Sequence, residues 1–260
     1  MAEEAPMWQE LLKTTLSKKS DYSVALALAT LTLDGRPSVR FVGLKEVISI
    51  PSSSAAVSHS SIPLDTSPVT PARGSEVSAL VFTTDIRSPK CAEIQRNPCI
   101  SLSMWSGETG IQLRIDGAAY LYKPGWSQER EDISERWIRA NARSSSDPSV
   151  ATAENIIRQA DLDTLSRALF DGLHPRTRAW HTRGIPGKPI DAYTQNEKDK
   201  WLAELQAGEA AETEAARNFA LLLVVPQEVD IVQILTQGHD RRWHWKLLDD
   251  MTWAATELVP

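Results

Sequence analysis

The stretch SVALALATLTLDGRPSVRFVGLKEV, residues 23–47, reads as two strands folded back on each other. Residues 24–33 alternate in the strand manner. Asp34-Gly35 is a turn pair that tolerates positive φ, and residues 38–47 form the return strand. Pro37 sits just outside the turn, where its missing N–H does little harm. The chain therefore opens its sheet with an antiparallel hairpin.

Working outward, Trp8, Leu11, Leu12 and Leu16 recur at helical spacing and predict an amphipathic helix over 7–18. Residues 48–77 are rich in Ser, Pro, Thr and Ala without a period, and read as a low-complexity loop insertion between two strands. A strand follows over 77–83. A helix opens at Ser88-Pro89, with proline suited to its first turn, and stops at Asn97-Pro98. Residues 99–105 and 111–122 are strands around the turn 106–110. Residues 127–142, 153–172 and 197–216 read as helices in an insertion spanning about 127–217. The end is β again, over 219–225, 229–235, 241–246 and 252–259. Hairpin-linked strands open and close the chain and helices lie between them. That order predicts an α+β fold, an antiparallel barrel with peripheral helices, as one domain over 1–260.

A formal net charge of -6 gives no general attraction to nucleic acid or to an anionic membrane, so any anion site has to be local. Two cysteines, Cys91 and Cys99, are too few for a disulfide framework and sit as small core residues. The first sixteen residues lack the apolar core of a signal peptide, and no run is long enough to span a bilayer. A cytoplasmic setting is the expectation.

Anion chemistry has one promising location. In FTTDIRSPK, residues 82–90, a strand runs into a helix whose start carries Thr83, Thr84, Arg87, Ser88 and Lys90. Unpaired N–H groups, hydroxyls and two cations suit a phosphate. A solvated junction with ordinary surface cations remains the alternative. The hairpin adds Arg40 and Lys45, and three basic segments held together call for an anion to compensate them. Alternation puts Arg40 and Lys45 on opposite faces unless the strand bulges near Gly43. No GxGxxG follows a strand, no GxxxxGK[ST] occurs, and Ser127 lacks the glycine of a nucleophile elbow. The histidines fall at no metal spacing.

VRFVGLK, FTTDIRSPK with CAEIQRNPCISLSMW, IQLRIDGAAYL and the tail HDRRWHWKLLDDMTWAATELVP come in an order that resembles the pyridoxamine 5'-phosphate oxidase-like flavoproteins. The likeness looks closest to the branch called the Alr4036-type FMN-binding domain. It covers 7–125 and 219–260, is weak across 127–217, and is absent from 48–77. The resemblance implies a six-stranded split barrel, FMN as cofactor, and a homodimer with FMN at the interface. Carried over by position, Arg40, Phe41, Val42 and Lys45 match the FMN-contacting strand, with Arg40 and Lys45 as phosphate and ring partners. Phe82 and Thr83 match the next contact pair, and Arg87, Ser88 and Lys90 the phosphate clamp. Gln112 matches a glutamine reaching the flavin ring, and Arg242 an arginine supplied by the partner subunit.

Three departures weigh on the activity. Gly238 and Asp240 stand where the true oxidases carry an Arg-x-His pair. No stacking tryptophan lies near Val232, and the middle-helix substrate set is not recognisable around Arg136, Arg139 and Arg143. An FMN-dependent oxidoreductase taking some other small molecule is the first expectation. Pyridoxamine or pyridoxine 5'-phosphate oxidation in vitamin B6 salvage is the second. A non-catalytic flavin- or haem-binding module is the third, with His174 or His181 as a conceivable haem ligand.

Overall fold

The computed structural model describes residues 7–17, 24–50, 77–107, 109–124, 162–234, 238–248 and 252–260. Helix α1 (Met7–Ser17) precedes the hairpin β1 (Val24–Leu31) and β2 (Pro37–Ile50). Then come β3 (Val77–Asp85), α2 (Pro89–Arg96), β4 (Cys99–Ser106) and β5 (Ile111–Tyr122). The helices α3 (Leu162–Asp171), α4 (Pro175–Trp180), α5 (Gln195–Lys198) and α6 (Glu212–Asn218) lead to β6 (Phe219–Gln233), β7 (Arg241–Leu247) and β8 (Trp253–Leu258).

The sheet order is β3-β2-β1-β4-β5-β6-β7-β8, and β3 also pairs with β6, closing six antiparallel strands into a barrel. The closure is split along one strand. The first half of β6 pairs with β3 (Phe219 opposite Asp85) and the second with β7 (Val232 opposite Arg242). This is the split barrel expected. Gly35, at φ +83°, makes the β1–β2 turn, and Leu31 stands opposite Pro37.

Two apolar clusters flank the barrel wall. The interior holds Leu26, Leu28, Leu44, Phe82, Leu102, Leu113 and Ile115, and takes Trp8 of α1 edge-on against Trp253 of β8 at 5.3 Å. A second cluster lies outside β3, β5 and the first half of β6. There Val81, Tyr120, Leu221 and Leu223 are covered by Leu162, Phe170 and Ala179 from the helices and by Leu173 between them. Residues 219–225 are buried throughout, which explains their unbroken apolar run.

Three boundaries differ from the sequence expectation. The two strands read over 219–235 are one, carried past Pro226 by a bulge opposite Asp116/Gly117. A Cβ on Gly117 would come 2.3 Å from the Val225 carbonyl oxygen, so the close approach there needs glycine. The acidic stretch 197–216 is not one helix. Thr194 and Glu197 form a capping box for the single turn of α5, Gly208 at φ +83° breaks the chain, and α6 starts afresh at Glu212. β2 and β3 reach Ile50 and Val77, which narrows the insertion. Residues 51–76 and the helix expected over 127–142 lie outside the described residues, as does the first part of the one expected over 153–172.

Candidate functional site

The corner where β3 runs into α2 concentrates polar groups in an otherwise apolar barrel. Ser88 stands at the N-cap of α2 with Pro89 next to it, as the sequence implies, although its hydroxyl makes no cap hydrogen bond. The buried Ser88 Oγ instead accepts from Lys90 Nζ at 3.0 Å, and lies 3.3 Å from Cys91 Sγ and 3.4 Å from Thr84 Oγ1. Burial pushes the Cys91 thiol up, the hydrogen bond to Ser88 notwithstanding. Burial also holds the Lys90 ammonium below the ordinary lysine range. The charge of Arg40 adds to that lowering, while Cys91, Asp85 and Glu93 oppose it.

Arg40 reaches the same corner from β2. Its guanidinium donates to Glu93 Oε2 at 2.7 Å, to Ser38 Oγ at 2.8 Å and to Thr30 Oγ1, and Thr30 in turn donates to Glu93 at 2.5 Å. Arg87 is held by Asp85, with Nε to Oδ1 at 3.0 Å and Nη2 to Oδ2 at 2.6 Å. That bidentate pair raises the arginine above its ordinary value. The compensation expected from a bound anion is therefore supplied in large part by the protein's own carboxylates. Lys90 is the exception. Its recorded hydrogen bond goes to a neutral hydroxyl, and among the described residues no carboxylate lies within ion-pair distance of it.

The bulge suspected near Gly43 lies between Leu44 and Glu46 and centres on Lys45, which burial lowers. Phe41 and Val42 face opposite ways. Val42 is buried in the barrel and Phe41 is 77% exposed. Phe82 is wholly buried opposite Leu44 and Leu222, so its side chain serves the core and only its backbone is left for a ligand. Thr83 is half-buried beside it, opposite Leu221.

A second group forms on the other outer face. Cross-strand partners share a face, and Trp105, Gln112, Val232, Arg242 and Leu258 stand in one row across β4–β8. The neighbouring row is Phe41, Ala27, Ser103, Arg114, Asp230, His244 and Thr256. Asp230, nearly buried, is the hub. Arg242 donates to it from Nε at 3.0 Å and Nη2 at 2.9 Å, Arg114 lies 3.4 Å away, and His244 Nδ1 4.0 Å away.

The site residues read from the sequence thus fall into two groups. Arg40, Arg87, Ser88 and Lys90 meet at the β3–α2 corner, and Gln112 and Arg242 flank Val232 on the sheet. Asp85, Glu93 and Asp230, which fix the cations, were missed. The signals were present in Asp85 two residues before Arg87, Glu93 one helical turn after Lys90, and an aspartate interrupting the apolar V-D-I-V of β6. The candidate haem ligands have other duties. His174 Nδ1 accepts from the Arg176 N–H at the start of α4, and buried His181 stands 3.8 Å from Asp85. Burial lowers His181, and the charges of Arg87 and Lys90 add to this.

A split barrel with a cationic, hydroxyl-lined corner at a strand-to-helix junction defines the class of FMN-binding split-barrel proteins. Residues 5–123 match the family described as "Pyridoxamine 5'-phosphate oxidase, FMN-binding domain", and the cofactor is FMN. The structure is similar to that of a pyridoxamine 5'-phosphate oxidase-related, FMN-binding protein from Nostoc punctiforme PCC 73102, at 20% identity and a TM-score of 0.62. That match covers 99% of this chain and 100% of the other and supports the fold. PhzG from Burkholderia lata 383 is a more distant likeness, at 18% identity and a TM-score of 0.43, covering 98% of this chain and 91% of that one. No curated protein matches the sequence.

The residues present fit the cofactor. Lys90 is a half-buried cation without a carboxylate partner among the described residues, bonded to the Ser88 hydroxyl with Thr84 beyond it, and a phosphate dianion would supply the missing charge. No helix among the described residues is long and apolar enough to cross a membrane.

Proposed function

We propose that the chain is an FMN-dependent oxidoreductase acting on a small-molecule substrate, a cytoplasmic homodimer whose residues 1–260 make one split-barrel domain. The observation that carries this reading is the ammonium of Lys90, held half-buried at the start of α2 with a hydroxyl as its hydrogen-bond partner among the described residues. Keeping such a charge costs stability, and binding an anion repays it. Lys90 and Ser88 hold the phosphate end, beside Arg40, whose guanidinium is already paired with Glu93. Lys45, at the β2 bulge, presents a cation where the ring's electron-rich edge would lie, and Gln112 offers an amide to the ring. FMN, when bound, supplies hydride chemistry, and the protein supplies binding, orientation and electrostatics.

The exposed Phe41 and Trp105, at 77% and 57%, lie on the face that also bears Arg242. A second copy covering this face would remove both from water and bring Arg242 to the partner's flavin. Asp230 fixes the Arg242 guanidinium in one orientation for that purpose.

The test is anaerobic mixing of the FMN-loaded protein with NADH, NADPH and pyridoxine 5'-phosphate in turn, followed through the visible flavin band. Bleaching by a nicotinamide followed by reoxidation with a second substrate is the expected result. Bleaching by pyridoxine 5'-phosphate would move the assignment to vitamin B6 salvage. A stoichiometrically bound flavin that none of the three reduces would contradict the oxidoreductase reading and leave a binding module.

A further inference from the structure

Arg87 and Lys90 are one helical turn apart, and the sequence offers both to a phosphate. We propose that Arg87 is instead a positioning residue, which fastens residues 181–187 to the β3–α2 corner and takes no part in binding phosphate. The ligand half of the test rests on the FMN reading above, while the structural half does not.

Of the five N–H donors of a guanidinium, four are engaged within the protein. Two go to the Asp85 carboxylate, at 3.0 and 2.6 Å. Nη1 donates to the carbonyl of Arg183 at 3.0 Å, and Nη2 also to the carbonyl of His181 at 3.2 Å. The backbone N–H of Arg87 donates to the same Asp85 oxygen at 2.9 Å, which locks the turn. One guanidinium N–H remains, so a bidentate phosphate contact would have to take a donor from the Asp85 carboxylate or from one of the two carbonyls.

The segment on the other side is built to receive the arginine. Asn218 Nδ2 donates to the His181 carbonyl at 2.7 Å, and the Ile86 N–H donates to the Asn218 carbonyl at 2.9 Å, so Asn218 bridges corner and segment once more. Gly187, at φ +84°, lies so close that a Cβ there would stand 3.1 Å from Pro89 Cγ, at the first residue of α2. Residues 85–89, 181–187 and 218 therefore close on one another, with Arg87 at the centre. Lys90 differs in each respect, having one recorded hydrogen bond, to a hydroxyl, and no carboxylate within ion-pair distance among the described residues. The helical insertion is thus coupled through Arg87 to the corner that holds the cofactor's phosphate.

The experiment uses the full chain as wild type, Arg87→Ala, Arg87→Lys and Lys90→Ala. FMN and riboflavin, which differ only in the phosphate, are titrated by flavin fluorescence, and amide hydrogen exchange over 181–187 is measured without flavin. Arg87→Lys keeps the charge but cannot span Asp85 and two carbonyls. Loss of a phosphate ligand lowers the preference for FMN over riboflavin about tenfold or more, and this is expected of Lys90→Ala with exchange over 181–187 unchanged. Both Arg87 variants are expected to keep that preference within about twofold while exchange over 181–187 rises. The proposal is overturned if either Arg87 variant loses the FMN preference as Lys90→Ala does, or if exchange over 181–187 does not respond. A wild type that binds neither flavin would contradict the FMN reading instead, and the exchange result alone would then decide the role of Arg87.

Discussion

The barrel has two outer faces, and they are finished differently. Outside β3, β5 and the first half of β6, Val81, Tyr120, Leu221 and Leu223 lie beneath a helical layer, and Tyr122 donates a hydrogen bond to Asp163 of α3. Outside β1, β2, β4 and the second half of β6, no described helix covers the sheet. Val39 and Phe41 on β2 and Trp105 on β4 stand 65%, 77% and 57% exposed there, and the ion cluster centred on Asp230 lies on β5–β7. Covering the first face stabilises the fold. The second keeps aromatic surface in water, which contributes little to a monomer, and it is the face that the proposed function gives to a second copy.

Substitutions on the two faces separate these roles. On the covered face, Leu223→Ala removes a buried side chain and is expected to destabilise by about 2–4 kcal/mol in denaturant unfolding. On the bare face, Asp230→Ala leaves Arg242 and Arg114 without their shared carboxylate. A loss of about 1–2 kcal/mol is expected, together with weaker flavin retention. Equal losses of stability from the two, with flavin binding untouched, would erase the distinction.

At the corner, the sign reverses. Lys90→Met is expected to stabilise the flavin-free protein by about 0.5–1 kcal/mol while abolishing FMN retention. Because burial sets the folded pKa of Lys90 below its ordinary 10.5, the unfolded chain holds that proton more tightly. The cost is therefore complete below the folded pKa and fades as pH rises toward the ordinary value. Wild type should close its gap to Lys90→Met over that range, and a gap that widened with pH would contradict the assignment. The smallest effect is expected for Phe41→Ser, within about 0.5 kcal/mol for the monomer's stability but with weakened self-association in sedimentation.

Much of the fold was legible because local chemistry and tertiary packing agree. The Asp34-Gly35 turn, Pro89 at the start of α2 and the alternation of β5 each predict what is formed. Pro226 misled because a strand can absorb a proline at a bulge, and the acidic run 197–216 misled because composition alone does not supply an apolar face. The cations of the site were legible, but their partners were not. Glu93 reaches Arg40 across 53 residues of chain, and Arg87 binds carbonyls more than 90 residues away, so only the folded topology shows which cations are already satisfied.

The most direct test of the account is sedimentation velocity of the FMN-loaded protein, monitored in the visible flavin band. The account predicts that the flavin moves with a species of twice the chain's mass. Flavin moving with a single chain would contradict the role given to the bare face, and flavin left behind in solution would contradict the role given to the corner around Lys90.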